Sequence, residues 1–242
     1  MKEDLVYGKN PVKELLLNNR RINKIYLQKG FKDQKIVELA KSSGAVIKWC
    51  EKSFLDKLTE GNNHQGIGAS VSPKDYTPLE EILDNIEKQG KQGFLVILDS
   101  LEDPHNLGSI IRTANGAGVD GIIIPKHRAV PLTSTVAKVA AGALEYVPVA
   151  QVGNLVQTIE FLKERGYWIF GADMDGQTYY QADLRGKICL VIGGEGKGIG
   201  QLVKKHCDVI LKIPLKGQVN SLNASVAAGI LIYEVVKQRD NG

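Results

Sequence analysis

Three short segments hold most of the side chains in this chain that could do chemistry. In Asp103-Pro104-His105-Asn106-Leu107-Gly108-Ser109-Ile110-Ile111-Arg112-Thr113-Ala114, an amide and a guanidinium stand six residues apart. In Ile192-Gly193-Gly194-Glu195-Gly196-Lys197-Gly198-Ile199-Gly200, one carboxylate sits among five glycines in eight positions. In Ile213-Pro214-Leu215-Lys216-Gly217-Gln218-Val219-Asn220-Ser221-Leu222-Asn223-Ala224-Ser225, four neutral hydrogen-bonding side chains gather beside a glycine turn. Glycine density of this kind means a backbone that turns sharply or meets a ligand closely, and a purely structural turn would not need Glu195. The segment is not a phosphate-binding P-loop, because Gly198 follows Lys197 and Val191 stands where the first glycine should be. It also fails G-x-G-x-x-G in each register, so a dinucleotide fold is a poor fit.

Plainer readings exist for the same residues. Asn106 can be a helix cap, and so can the Ser and Asn cluster of the third segment. Arg112 can be an ordinary exposed helix arginine, and pattern alone favours these plainer roles for Asn106 and Arg112. On a helix whose buried stripe is Ile110, Ile111, Ala114 and Ala117, Arg112 faces away from the core. Gly108, one turn earlier on its face, would let a ligand approach the guanidinium.

The elements that must position these loops are those of an α/β protein. Apolar runs recur at 94–98, 121–124, 167–170, 188–192 and 209–211, each followed by a helical pattern. Strands apolar on both faces belong to a parallel sheet flanked by helices, and such sheets bind ligands beyond their carboxyl ends. An apolar helix over 226–236 closes the chain. Before residue 72 lies a smaller α/β unit. Pro11 opens a helix with Val12, Leu15 and Leu16, residues 22–27 alternate as a strand, 32–43 read as a helix, and 45–47 and 66–71 as strands. The division expected is 1–72, a linker at 73–92 marked by Pro73 and Pro78 and a polar, helical stretch, and 93–242.

Composition narrows the class. The chain has 242 residues with 43% hydrophobic and 24% charged content, ordinary for a soluble globular protein. No apolar run nears the roughly 20 residues needed to span a bilayer, and Met1-Lys2-Glu3-Asp4 opens no secretory signal. Cys50, Cys189 and Cys207 have no C-x-x-C spacing. That pattern reads as reduced thiols in a cytoplasmic protein, without a zinc site. Residues 1–60 carry 13 Lys and Arg against 8 Asp and Glu, a surplus of five, so the remainder is net −1 of the total +4. A basic first third fits a polyanionic partner or a merely solvated surface. The candidate RNA contacts are Lys9, Lys13, Arg20, Arg21 and Lys24.

Taken together, Asn106-Leu-Gly108-Ser-Ile-Ile-Arg112-Thr-Ala114, Val191-Ile-Gly-Gly-Glu195-Gly196 and Ile213-Pro214 with Asn220-Ser221-Leu222-Asn223-Ala-Ser225 resemble, in order and spacing, the three motifs of the SpoU family of RNA ribose methyltransferases, within the SPOUT superfamily. Residues from Val6-Tyr7-Gly8 to His64-Gln65-Gly66 resemble that family's RNA substrate-binding domain, which is similar to ribosomal protein L30e. The resemblance implies a C-terminal catalytic domain with a trefoil knot, a homodimer with its active site near the subunit interface, and S-adenosyl-L-methionine as cofactor. It implies 2′-O-methylation of a ribose, with guanosine in 23S rRNA as the expected target. It places Arg112 nearest the reacting hydroxyl, and Gly193, Gly194, Gly196, Ile213 and Leu222 around the cofactor, and it implies that no metal is needed. A 2′-hydroxyl is a poor nucleophile until its proton is being lost, and arginine is normally always protonated. Arg112 is therefore read as a charged group that polarises the 2′-oxygen or grips a phosphate, with Asn106 and Glu195 orienting it and Ser221 and Asn223 completing the cluster. Alternative readings are a tRNA guanosine-2′-O-methyltransferase and a non-catalytic RNA-binding ribosome assembly factor. A dinucleotide-dependent oxidoreductase is more distant.

Overall fold

Residues 5–17, 22–196, 198–218 and 221–241 are described by the computed structural model, and they fall into two units. The first takes in the chain up to Asp75 together with Pro131–Thr135, the second Tyr76–Val130 with everything from Val136 onward.

In the first unit, β1 (Leu5–Tyr7), α1 (Lys9–Leu17), β2 (Ile22–Gln28), α2 (Gln34–Ser42), β3 (Val46–Cys50), α3 (Lys52–Leu58) and β4 (Ile67–Val71) form a four-stranded sheet of order β1-β4-β2-β3. The β2–β3 pair is parallel and the other two pairs are antiparallel. Val12 and Leu16 of α1 and Ile36 and Ala40 of α2 pack on Ile25, Leu27, Ile67 and Ala69, so alternate residues of β2 and β4 face one helical layer. β1 and α3 are the elements that the sequence pattern did not announce.

The second unit begins with α4 (Leu79–Lys88), inside the segment expected to be a linker. Its Leu79, Ile82, Leu83 and Ile86 are all buried in the unit's main core cluster. Their spacing of three and four puts them on one face, so the helix expected in this stretch is there, the polar residues between them hid its core face, and the units part at Asp75. The unit continues with β5 (Phe94–Asp99), α5 (Pro104–Gly116), β6 (Gly121–Pro125), α6 (Ser134–Val139), β7 (Val149–Val152), α7 (Leu155–Glu164), β8 (Trp168–Thr178), β9 (Ile188–Gly193), α8 (Gln201–His206), β10 (Val209–Lys212) and α9 (Ala224–Asp240). Its six strands run in the order β10-β8-β9-β5-β6-β7, every pair parallel. Only β7 lacked a readable apolar run.

Alternate residues of each strand serve opposite faces. Leu95, Ile97, Cys189 and Val191 meet α4, α7 and α8 in one cluster, which leaves Val96, Leu98, Leu190 and Ile192 for the other face, where α9 packs on both β9 and α5. Burial pushes up the thiol of Cys189 and lifts that of Cys207 to about 12, so both stay protonated near neutral pH. Among the described residues, no helix is long and apolar enough to cross a membrane.

Gly108 lies in the middle of α5 and is buried. A Cβ there would stand 2.6 Å from Val139 Cβ and 3.0 Å from the Val136 carbonyl oxygen. The glycine thus seats α5 against α6, and the expectation that it opens a path to Arg112 is corrected. Replacing Gly by Ala in a helix usually gains about 1 kcal/mol, but overpacking costs roughly 1–3 kcal/mol, and Val139 Cβ is too close to its own backbone to swing away. Gly108→Ala should therefore lower the unfolding free energy by about 1–2 kcal/mol in urea titration. A more stable variant would show that α6 yields freely.

Candidate active site

The outgoing connections of β5 and β9 leave these neighbouring strands in opposite directions, β5 through α5 to β6 and β9 through α8 to β10. Between such strands a crevice opens at the carboxyl edge of the sheet. Asn106 follows β5, Glu195 follows β9, and Asn223 follows β10 and begins α9, so all three loops read from the sequence converge on one place.

The helix after β5 is capped by Asp103, whose carboxylate accepts the His105 N–H at 2.9 Å, with Pro104 at the first helical position. Asn106 is therefore not the cap. It lies inside the first turn, 3% exposed, and its side chain is free to reach sideways. Its Nδ2 donates to Glu195 Oε1 at 2.8 Å, and Asn223 Nδ2 donates to the same oxygen at 2.7 Å and to Asn106 Oδ1 at 2.9 Å. Asn223 also caps α9, its Oδ1 accepting from Ser225 N, Ser225 Oγ and Val226 N. That cap fixes the amide's orientation, since the acceptor end is needed by the helix and the donor end must face Glu195. Glu195 Oε1 then serves as the shared acceptor of both amides.

The glycines shape the loop that carries Glu195. A Cβ on Gly193 would lie 2.0 Å from the Gly198 carbonyl carbon, and one on Gly194 would lie 2.2 Å from the Ser100 carbonyl oxygen. Gly198 N donates to the Gly194 carbonyl at 3.1 Å and folds the loop back on itself. Gly193 thus answers to the loop's own backbone and Gly194 to the backbone that follows β5. Gly196, at φ +80°, has open space where a side chain would project. Past β10, Ile213 is half-buried, and Leu215 and Leu222 are exposed apolar side chains.

Of the other expected residues, Arg112 is exposed on α5, as its place off the buried stripe required. It lies six residues beyond Asn106, about 9 Å along a helix axis, and makes no hydrogen bond or ion pair with Asn106, Glu195 or Asn223. Ser221 is exposed and stands outside the cluster's bonds. Lys9 and Lys13 share a face of α1, one turn apart, with Lys9 Nζ 5.5 Å from the Phe31 ring centroid. Lys24 is half-buried on β2. Arg20, Arg21 and Asn220 lie outside the described residues. Asp99, which no sequence pattern singled out, reaches this loop from β5 through Gly200. A cavity of about 310 Å³ lined by Asn85, Gln89, Asn115, Asp120 and Tyr146 lies at the opposite, amino-terminal ends of the strands and takes no part.

Because Asn106 and Asn223 share one acceptor and touch each other, their contributions should not add. Asn106→Ala and Asn223→Ala are each expected to cost roughly 1–2 kcal/mol. The double variant should fall short of the sum by about 0.5–1 kcal/mol in urea denaturation. Strict additivity would dissolve the cluster as a unit.

Comparisons with known proteins agree with this geometry. Residues 93–233 match the SpoU rRNA Methylase family, and residues 5–77 match a domain described as RNA 2'-O ribose methyltransferase substrate binding. YacO of Bacillus subtilis (strain 168), which carries the name of a TrmH family tRNA/rRNA methyltransferase, is 46% identical over 241 residues, spanning 98% of this chain and 96% of its own. Among solved structures, the SpoU methyltransferase AviRb from Streptomyces viridochromogenes, in complex with the cofactor AdoMet, aligns with a TM-score of 0.64 at 23% identity, covering 98% of this chain and 91% of its own. An AdoMet-bound rRNA methyltransferase from Sinorhizobium meliloti aligns with a TM-score of 0.61 at 23% identity, covering 96% and 86%. Likenesses at that identity establish the fold. Family membership rests on the match of 93–233 and on the Bacillus relative, and both place this chain in the SpoU rRNA Methylase family.

Proposed function

We propose that this protein transfers a methyl group from S-adenosylmethionine to the 2′-hydroxyl of a guanosine ribose in 23S rRNA. The observation that carries the reading is the Asn106–Glu195–Asn223 cluster at the switch point of the parallel sheet. The cluster holds the three loops in register at the edge where such sheets bind their ligands.

The residues present fit the cofactor. The open side of Gly196 and the free flank of Gly217 leave backbone approachable, while Ile213, Leu215 and Leu222 offer apolar surface for a flat ring. Gly193 and Gly194 keep the loop tight beneath them. S-adenosylmethionine supplies an electrophilic methyl on a sulfonium. The protein's own work is alignment and charge. Glu195 holds the glycine loop to α5 and α9, and Ser221 lies beside Asn223 with its hydroxyl available to substrate. Arg112, exposed and always charged, polarises the 2′-oxygen or grips an adjoining phosphate through its planar fork.

The first unit selects the RNA. Its match to a substrate-binding domain and the basic surplus of residues 1–60 support this, with Lys9, Lys13 and Lys24 as contacts and Arg20 and Arg21 added on the strength of charge alone. The rRNA target is supported by the family's description and by the Sinorhizobium neighbour, which spans both units. A tRNA target is the second reading, favoured by the joint naming of the Bacillus relative.

The working form is a homodimer. Leu222, just before α9, and Val226 and Tyr233 on it are 37%, 50% and 51% exposed, while Ala224, Leu231 and Val235 are buried. One apolar face is thus used within the chain, and the other waits for a second copy. Arg112 and Gly116 share a face of α5, and a Cβ on Gly116 would stand 3.2 Å from the Tyr233 hydroxyl, so the guanidinium borders that free face. A trefoil knot in the C-terminal segment belongs to the same reading, supported by the β9–α8–β10 connection, which passes β8. So does a cytoplasmic location, where three free cysteines stay reduced.

Mapping of 2′-O-methyl sites in RNA from cells with and without the gene tests the target. A site lost from tRNA alone selects the second reading, and no lost site removes both. Arg112→Ala and Arg112→Lys should each lower methyl transfer by roughly 100-fold or more, with melting and calorimetric binding of S-adenosylmethionine close to the parent. If Arg112→Lys keeps most of its activity, the fork geometry is irrelevant. The pair Val226→Asp and Tyr233→Asp should shift the light-scattering mass from dimer to monomer at micromolar concentration, and a parent protein that is already monomeric would refute the dimer.

A further inference from the structure

Asp99 ends an otherwise apolar strand and is 6% exposed. A buried carboxylate is costly unless its bonds are satisfied, and among the described residues no cationic side chain pairs with it. Its partners are one hydroxyl and the backbone of the Glu195 loop. Oδ1 accepts from Ser100 Oγ at 2.9 Å, and Oδ2 accepts the Gly200 N–H at 2.7 Å. Its main-chain carbonyl accepts the Gly194 N–H at 2.8 Å. One residue therefore holds both ends of the loop, Gly194 by its backbone and Gly200 by its side chain. The grip is close. A Cβ on Gly194 would strike the Ser100 carbonyl oxygen at 2.2 Å, and one on Gly200 would come within 3.2 Å of Asp99 Oδ2. Ser100 itself is held at φ +57°, a conformation that non-glycine residues seldom adopt and that surrounding structure must impose.

We propose that Asp99 is a positioning residue that clamps the 194–200 loop at both ends, so that Glu195 is presented to Asn106 and Asn223 and the loop keeps the shape that receives the cofactor. This rests on the reading of the site given above. Asn106 and Asn223 fix the tip of the loop at Glu195, whereas Asp99 fixes its base. Without the base the tip would have to order the whole glycine-rich segment alone, and glycine loses more conformational freedom on ordering than any other residue.

The test compares Asp99→Ala and Asp99→Asn in the full-length protein. Amide hydrogen exchange without any ligand reads the clamp directly. Asp99→Ala should speed exchange in the peptide around 193–200 by about tenfold or more while leaving α4 and α7 unchanged. Titration calorimetry should show S-adenosylmethionine binding weakened by roughly tenfold. In steady-state transfer the KM for S-adenosylmethionine should rise and kcat fall, with the KM for RNA unchanged. Asp99→Asn keeps an acceptor for Gly200 and should recover much of each loss. Ile86→Ala, which opens a cavity under α4 on the main core cluster, controls for lowered stability and should move neither the loop's exchange nor the cofactor's binding. Unchanged exchange in Asp99→Ala would overturn the clamp. Faster exchange with unchanged binding and turnover would overturn the positioning role. A parent protein that does not bind S-adenosylmethionine would instead defeat the proposed function, while the exchange data would still judge the clamp.

Discussion

A single carboxylate oxygen, Glu195 Oε1, receives two amide N–H groups from residues 89 and 28 positions away in the chain. Neither amide can turn to suit itself. Asn223 must offer its oxygen to the first turn of α9, and Asn106 must offer its oxygen to Asn223. With both acceptor ends committed, both donor ends face the carboxylate. The three loops are thus locked by an arrangement in which each amide has one sensible orientation and neither end of either amide is left without a partner of the right kind, the condition under which a polar network specifies a structure.

The lock works because the sheet brings its loops to it. Parallel strands deliver their carboxyl ends to one edge, and the order β9-β5-β6 turns the connections of β5 and β9 apart. A side chain from α5 and one from the β9 loop then meet across the gap without a covering helix. The glycines follow from the same closeness. Where the β9 loop folds over itself and over Ser100, backbone meets backbone at distances that exclude any Cβ. A β9 loop built of larger residues would stand off from β5 and carry Glu195 out of reach.

Much of this was legible in the sequence because it rests on local rules. Doubly apolar runs announced five of the six strands of the parallel sheet, and glycine density with a lone carboxylate announced the Glu195 loop. What failed did so for identifiable reasons. Two residues competed to cap α5, and Asp103 won, which left Asn106 for the site. For Asn223, capping and function were no contest, because one amide has two ends. Gly108 seemed to clear space for a ligand, yet it makes room for α6, and a periodicity argument cannot see a neighbouring helix. Segment 73–92 read as a linker because its apolar residues are diluted by charge, although their spacing marks a core face. Asp99 looked like the end of a strand, since its meaning depends on Gly200, 101 positions later.

Arg112 completes the physical picture by standing apart. Asn106, Glu195 and Asn223 are tied to one another, whereas this guanidinium is exposed on α5 and has no partner in the cluster it was expected to join. A fork of fixed donors left in water is poorly oriented for chemistry, because its side chain keeps its rotamer freedom until something packs on it. What can pack on it is named by its surroundings. Gly116 on the same face adjoins Tyr233, and Tyr233 belongs to the apolar face of α9 that the chain leaves uncovered. Covering that face would order the guanidinium and exclude water from it in one step. The braced carboxylate cluster is self-sufficient in a single chain, and the arginine is the proposed site residue that would gain its order from the proposed dimer.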